Sequence, residues 1–216
     1  MRNAFEKQLS ELHTKLIEMG SFCEEAIKLS SQALAIDTIT LGNVSLLKAK
    51  IEQMEREIES LCLKLLLLQQ PVAGDLRQIS AALKMITDME RIGDQADDIA
   101  EIIGYLIHRN ERDCSLIVEM AGFTITMVSE SIDAFIKQDT ILAQKVIDDD
   151  DKVDEAFLKV KQALIAMIAK NPDNGGYALD LLMIAKHYER IGDNAVNIAS
   201  WVVFSVTGVH KGETEL

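Results

Sequence analysis

The stretch that decides the fold occurs twice, as ERIGDQADDIA at residues 90–100 and as ERIGDNAVNIA at residues 189–199. Eight of the eleven positions are identical, and the two copies lie 99 residues apart. Each copy places a glutamate and an aspartate four residues apart, a spacing that puts both carboxylates on one face of a helix. The glycine between them costs a helix about 1 kcal/mol. We therefore expect another part of the molecule to approach the helix backbone at this point, and we take the repeated element as the candidate functional site.

The apolar pattern around the two copies predicts an all-α protein. Hydrophobic residues make up 48% of the 216 residues, only two prolines interrupt them, and they recur at three- and four-residue steps. Short connections between long helices favour antiparallel neighbours. The sequence thus predicts two tandem antiparallel three-helix bundles related by pseudo-twofold symmetry, in residues 1–110 and 111–210, with a tail at 211–216. The predicted helices end near Ile36, Pro71, His108, Lys137, Lys170 and Thr207.

Charge and composition exclude several classes of partner and compartment. A formal net charge of −13 argues against a nucleic-acid partner, because binding phosphate backbones requires a basic face. Residues 1–18 carry no apolar signal-peptide region, and no uninterrupted apolar run is long enough to span a bilayer. Cys23, Cys62 and Cys114 form no metal-binding motif and are predicted to be buried and reduced. These features predict a cytoplasmic protein without membrane insertion.

The second repeat offers four acids for a metal site. Asp150 and Asp154 lie near the start of the fifth helix, also four residues apart, and they meet the motif acids if the turn at residues 171–176 staggers the two helices suitably. Facing carboxylates repel unless a proton or a cation compensates them. An all-oxygen ligand set suits magnesium, manganese or ferric iron, and less typically zinc. The candidate ligands of this repeat are Asp150, Asp154, Glu189, Asp193 and Asn197.

The first repeat is predicted to hold a weaker or differently composed metal site. At an offset of 102 residues, Asp154 corresponds to Glu52, but Asp150 corresponds to Lys48. A lysine there places a positive charge where a metal ligand is expected. The candidate ligands of this repeat are Glu52, Glu90 and Asp94, with Asp98 or Glu55 as a further oxygen donor.

Catalytic motifs are missing from the sequence, which favours a non-enzyme. No Glu-x-x-His pair of di-iron bundles, no glycine-rich phosphate loop and no nucleophile elbow occurs. Arg91 and Arg190 are expected to pair with neighbouring acids, Asp88 or Asp94 for Arg91, rather than to bind phosphate. Two alternatives stay open: a metal-dependent enzyme with carboxylate-bridged ions, and a helical scaffold whose acids bind no metal and form a solvated face.

Three segments together resemble the PhoU family of phosphate-signalling proteins. They are the duplicated ERIGD element, QQPVAGDLR at residues 69–77 and DDKVD at residues 150–154. The resemblance covers nearly the whole chain and keeps the order and spacing of both repeats. It implies two pseudo-symmetric three-helix bundles and metal clusters on the paired acids, carried here by Glu90 with Asp94, Glu189 with Asp193, and Asp150 with Asp154. Lys48 and Glu52 depart from the family pattern.

The resemblance also implies a function and partners. PhoU-like proteins are cytoplasmic negative regulators of phosphate uptake and of the phosphate-starvation response, without established catalytic activity. The expected partners are the ATPase subunit of the phosphate ABC transporter and a phosphate-sensing histidine kinase. Iron, zinc, manganese or magnesium would be the bound metal. A homodimer is expected as well, because the long helices leave apolar edges.

Overall fold

The computed structural model describes residues 2–36, 41–68, 72–106 and 114–209. Throughout these ranges the chain forms long helices joined by short connections, and no strand occurs in them. The predicted all-α class and the six helices are confirmed. The helices are α1 (Arg2–Ile36), α2 (Leu41–Leu68), α3 (Ala73–Leu106), α4 (Ser115–Lys137), α5 (Thr140–Lys170) and α6 (Gly175–Thr207).

Local chemistry sets the helix ends in the second repeat. The Asp139 side chain accepts hydrogen bonds from the backbone N–H groups of Ile141 and Leu142, both at 3.0 Å, and so caps the start of α5. Asn171 accepts a bond from the N–H of Asp173 and opens a short 3₁₀ turn, Pro172–Asn174, between α5 and α6. The left-handed Gly208 (φ 81°) ends α6.

The helices form two bundles whose equivalent members face one another. Helices α1, α2 and α3 pack together, as do α4, α5 and α6, whereas the main contacts between the bundles are α3 with α6 and α1 with α4. Pairing of each helix with its own repeat counterpart is the arrangement that a twofold axis produces. The predicted pseudo-twofold pair of bundles is therefore confirmed.

The two bundles share one main apolar core, and a second, much smaller apolar cluster lies between α1, α2 and α3. Buried side chains of every helix belong to the main core, for example Leu16 of α1, Met85 of α3, Phe135 of α4 and Ile184 of α6. All three cysteines are buried within the described chain and form no disulfide. The predicted domain boundary at residues 110 and 111 lies outside the described residues.

Helix α4 is more apolar than its short runs of consecutive apolar residues indicate. By length and composition alone, Ser115–Lys137 could cross a membrane, and it is the one described helix of which this is true. The core helix of a soluble protein has the same properties, so the finding is weak evidence for a span. Here α4 packs against α1, α5 and α6.

Candidate functional site

Each motif glycine faces an apolar side chain of the neighbouring helix in its own bundle. A Cβ added at Gly93 would lie 2.9 Å from Cδ1 of Ile51 on α2, and one added at Gly192 would lie 3.4 Å from Cγ1 of Val153 on α5. Ile51 and Val153 occupy equivalent positions, 102 residues apart. The expected close approach to the backbone is thus found at Gly93, whereas the nearest side chain at Gly192 lies at an ordinary van der Waals distance; the neighbouring group is an apolar side chain in both repeats. This packing holds α2 against α3, and α5 against α6, at the level of the acids.

In the second bundle the predicted acid pairs do meet. Asp150 Oδ1 lies 3.5 Å from the position of a Cβ on Gly192, so the α5 acid rests directly against the motif turn of α6. Burial, followed by the charges of Asp193, Asp154, Asp151 and Glu189, raises the pKa of Asp150 from 3.8 to about 6. Burial and Glu189 likewise raise the pKa of Asp193. The turn between α5 and α6 therefore staggers the two helices so that the acids of α5 lie beside those of α6.

Lysines already neutralise part of this second-bundle cluster. Both carboxylate oxygens of Glu189 contact Lys186, with Oε1 at 2.5 Å from Nζ. Lys186 lies three residues before Glu189 on the same face of α6, so this partner was visible in the sequence and was missed. Asp149, next to the cluster, is held by Lys145 at 3.0 Å and by Lys152 at 2.6 Å. Asp150 and Asp154 have no ion pair with a lysine among the described residues, whereas the charge of Lys186 acts on Asp193 and partly offsets the effects of burial and Glu189.

In the first bundle, Lys48 occupies the position that the sequence indicated. Its Nζ lies 2.8 Å from Asp94 Oδ1 and 3.7 Å from Asp97 Oδ2. The hydrogen bond to Asp94 is the largest cause that raises the pKa of Lys48, so the ammonium stays charged. Asp97, which also accepts a bond from Ser45 at 2.6 Å, was not among the predicted residues. The Lys48 ammonium thus lies where the second bundle places the Asp150 carboxylate.

The remaining first-bundle acids gather around this lysine. Burial, followed by the charges of Asp94, Glu55 and Glu52, raises the pKa of Glu90. Burial and the neighbouring Glu59 raise the pKa of Glu55. Glu52, Glu55, Glu90 and Asp94 therefore form one electrostatic group, and of the two alternatives for the further oxygen donor it is Glu55 that belongs to it.

Asp98 and Asn197 make their described contacts across the α3–α6 junction. Asp98 Oδ2 lies 3.7 Å from His187 Nδ1, and Asn197 donates a hydrogen bond to Asp88. These two contacts are repeat counterparts, since Asp88 corresponds to His187 and Asp98 to Asn197 at the offset of 99. These contacts place Asp98 and Asn197 at the edge of the motif face, where α3 and α6 meet.

The acid side chains do not converge on a single point. Within the described ranges, no three His, Cys, Asp or Glu side chains are grouped so that they could hold one metal ion. By donor chemistry and charge, the second bundle suits a hard cation, because neighbouring acids raise the pKa of Asp150 and of Asp193, and Asp150 and Asp154 have no described ion pair with a lysine. The first bundle does not suit one, because Lys48 supplies a cation of its own.

Comparison with known proteins identifies the lineage. The PhoU domain family model matches residues 16–103 and again 117–202, one match in each bundle. The chain belongs to the PhoU family. The two matches coincide with the two repeats read from the sequence, and both contain the motif acids. The predicted family resemblance is thereby confirmed.

Relatives agree along nearly the whole length. A homologue of the phosphate-specific transport system accessory protein PhoU from Clostridium acetobutylicum is 33% identical over 210 residues, which cover 96% of each chain. Another homologue of this accessory protein, from Aquifex aeolicus, is 35% identical over 187 residues, covering 85% of this chain and 84% of its own length. The crystal structure of PhoU from Pseudomonas aeruginosa superposes with a TM-score of 0.89 at 31% identity, covering 95% of this chain and all of that one.

Proposed function

We propose that the protein is a cytoplasmic negative regulator of phosphate uptake and of phosphate-starvation signalling. The observation that carries this proposal is the match, over nearly its full length, to relatives named as accessory proteins of phosphate-specific transport systems. The protein acts as an adaptor, without catalysis of its own, on the ATPase subunit of the phosphate ABC transporter and on a phosphate-sensing histidine kinase. Its acidic surface, with a net charge of −13, fits basic patches on such partners.

The state of the reactive side chains supports a role without catalysis. Burial raises the pKa of the Cys62 thiol to about 12 and raises that of Cys23 still further, so neither forms a thiolate at neutral pH. Burial lowers the pKa of His187, whose Nδ1 is hydrogen-bonded to Gln95 at 2.8 Å. Reduced, buried cysteines also fit a cytoplasmic location.

Binding of a hard cation by the second-bundle acids belongs to the same proposal. Asp150, Asp154 and Asp193 would supply oxygen ligands, and Glu189 would join them once Lys186 moves away. Iron, zinc, manganese and magnesium are the candidate ions. Bound metal would remove the repulsion between these acids and hold α5 to α6, so its effect would be on the shape and charge of a recognition surface.

A homodimer is the proposed assembly. Large apolar side chains are exposed where α2 passes into α3, with Leu67 at 80% and Val72 at 67% exposure. Exposed apolar side chains close together in the chain are a common feature of subunit interfaces. Light scattering on purified protein should give twice the mass of one chain, and a Leu67→Lys variant should give the mass of a single chain.

Affinity capture tests the central proposal. Tagged protein from phosphate-replete cells should retain the transporter ATPase or the kinase, and deletion of the gene should raise phosphate uptake. Asp154→Asn should weaken capture, while the exposed Asp173→Asn serves as a control of equal charge change at the far end of the bundle. Recovery of neither partner, together with unchanged uptake in the deletion strain, would refute the adaptor role.

Elemental analysis tests the metal. Protein purified without chelator should contain a metal ion, and Asp193→Ala should lower its amount. Equal metal content in both proteins, or none in either, would favour the scaffold in which the acids bind no metal.

A further inference from the structure

A cleft at the junction of the two bundles has a chemistry distinct from that of the acid clusters. It lies between α3 and α6 and has a volume of about 350 Å³. Six of its seven lining residues are polar or charged, on a surface where the two bundles meet. The residues that line it include Lys84, Thr87, Asp88, Arg91, Asn197 and Trp201.

Two cations reach this cleft, and they are only partly compensated. Lys84 is exposed and has no ion-pair partner among the described residues. Arg91 contacts Asp88 through Nη1 alone, at 3.3 Å, and its remaining N–H donors have no described partner. A guanidinium and an ammonium that line one cleft with a single carboxylate give it a local excess of positive charge, although the whole chain carries −13.

The Asp88 carboxylate is the hydrogen-bond acceptor among the donor side chains that line the cleft. Its side chain is only 7% exposed, and it receives hydrogen bonds from Arg91, Asn197 and Trp201. The amide of Asn197 has a second N–H, and Lys84 has three. The cleft thus offers several donors, two positive charges and one buried carboxylate.

This combination selects for one kind of anion. An oxyanion fits the cations and donors, but beside a carboxylate it must also carry an O–H group that the carboxylate can accept. Inorganic phosphate keeps at least one O–H at neutral pH, whereas sulfate keeps none. A phosphate monoester loses its last O–H with a pKa of about 6 and is mostly without it at neutral pH.

We propose that this cleft binds inorganic phosphate, with Lys84 and Arg91 contacting its charged oxygens and Asp88 accepting its O–H. The site stands on the lining side chains alone, apart from the acid clusters and from any transporter contact. It occurs once per chain, because the repeat counterparts of Lys84 and Asp88 are Met183 and His187.

The tryptophan in the cleft provides the measurement. Trp201 is the single tryptophan of the sequence and lines the cleft, so its fluorescence reports directly on occupancy. We expect a saturable change when chelator-treated protein is titrated with inorganic phosphate at constant ionic strength. Removing chelated metal ensures that no phosphate is bound through ions at the acid clusters.

Variants of the lining residues test whether the fluorescence change depends on the proposed contacts with phosphate. Lys84→Met and Arg91→Met should each weaken phosphate binding about tenfold, the loss expected for one charged hydrogen-bond partner. Arg190→Met changes the repeat counterpart of Arg91 on the other bundle and should leave binding unchanged. Asp88→Asn replaces the acceptor by an amide that can donate, so this variant should bind sulfate as well as phosphate.

Three results would overturn the proposal. They are an equal response of the unaltered protein to sulfate, an undiminished affinity in a variant carrying both Lys84→Met and Arg91→Met, and tighter binding of a phosphate monoester than of inorganic phosphate. Circular dichroism checks the fold of each variant. If Asp88→Asn does not fold, the sulfate titration and the Lys84 variant still decide the question.

Discussion

At the scale of single residues, one position of the repeat carries opposite charges in the two bundles. Lys48 lies 2.8 Å from the motif aspartate of the first bundle, while its counterpart Asp150 adds a negative charge to the second. The first bundle therefore carries its own cation, and the second depends on protons, on Lys186 or on an added ion.

Asp150→Asn should make the protein less sensitive to pH. The pKa of Asp150 is about 6 in the folded protein, above its ordinary 3.8, so the folded state holds this proton more tightly than the unfolded chain does. The stabilisation that protonation gives is complete below about pH 4 and is lost as the pH rises through about 6. In metal-free protein at neutral pH, the asparagine variant should gain on the order of 1 kcal/mol after allowance for solvent screening.

Chemical denaturation between about pH 4 and pH 8 measures this effect. Asp148→Asn, an exposed neighbour on the same helix, is the control. Parallel stability curves for the two variants would contradict the role given to Asp150.

Lys48→Asp should create a second metal site. The substitution gives the first bundle the residue that the second has at this position, next to Glu52, Glu90 and Asp94. Elemental analysis should find more metal per chain than in the unaltered protein, and chelation should destabilise the variant more strongly. Lys64→Asp, an exposed lysine further along α2, is the matched control. An unchanged metal content in the Lys48 variant would show that the lysine does not keep metal away from the first bundle.

Much of the acid site could be predicted from the sequence, because i,i+4 spacing and repeat offsets carry that information. The partners of Asp98 and Asn197 could not be predicted. Whether a residue one turn beyond the motif faces its own bundle or the other one depends on how α3 and α6 cross, and spacing along one helix does not contain that angle. The cleft around Asp88 could not be predicted for the same reason, because it is formed where α3 and α6 cross.

At the scale of helices, the motif glycines differ in how tightly they are packed. The contact at Gly93 is with the fully buried Ile51, at 2.9 Å, whereas the contacts at Gly192 begin at an ordinary 3.4 Å. The sequence predicted a close approach but could not supply the distance, since two identical motifs give identical expectations.

Alanine should therefore have unequal effects at the two glycines. Gly192→Ala should stabilise the protein by about 0.5–1 kcal/mol, because alanine favours the helix and its Cβ fits. At Gly93 the added methyl group forces Ile51 to shift, so this gain should be cancelled or reversed. Midpoints of denaturant unfolding for the two variants provide the comparison, and a more stable Gly93 variant would contradict it.

At the scale of the whole molecule, the pairing of equivalent helices makes the chain a covalent pseudo-dimer. Helices α3 and α6 meet across the pseudo-twofold axis, and so do α1 and α4. The sequence repeat and the short connections were enough to predict two bundles. That the bundles share their main apolar core could not be predicted, because it depends on how they pack against each other.

An isolated second repeat should dimerise. Without residues 1–113, the faces of α4 and α6 that contact the first bundle are exposed, and a second copy offers the equivalent faces in the same orientation. Light scattering should give twice the mass of the fragment, with a helical circular dichroism spectrum. A stable folded monomer would show that the second bundle does not need the junction.

Joining the two halves in one reading frame has a genetic consequence. In a homodimer encoded by a single gene, every mutation changes both subunits. A lysine that neutralises the acid cluster of one subunit would then also be present in the cluster of the other. A duplicated and fused gene removes that constraint, since each half has codons of its own. Lys48 and Asp150, at the same place in two halves of one chain, are a difference that a single unfused gene could not encode.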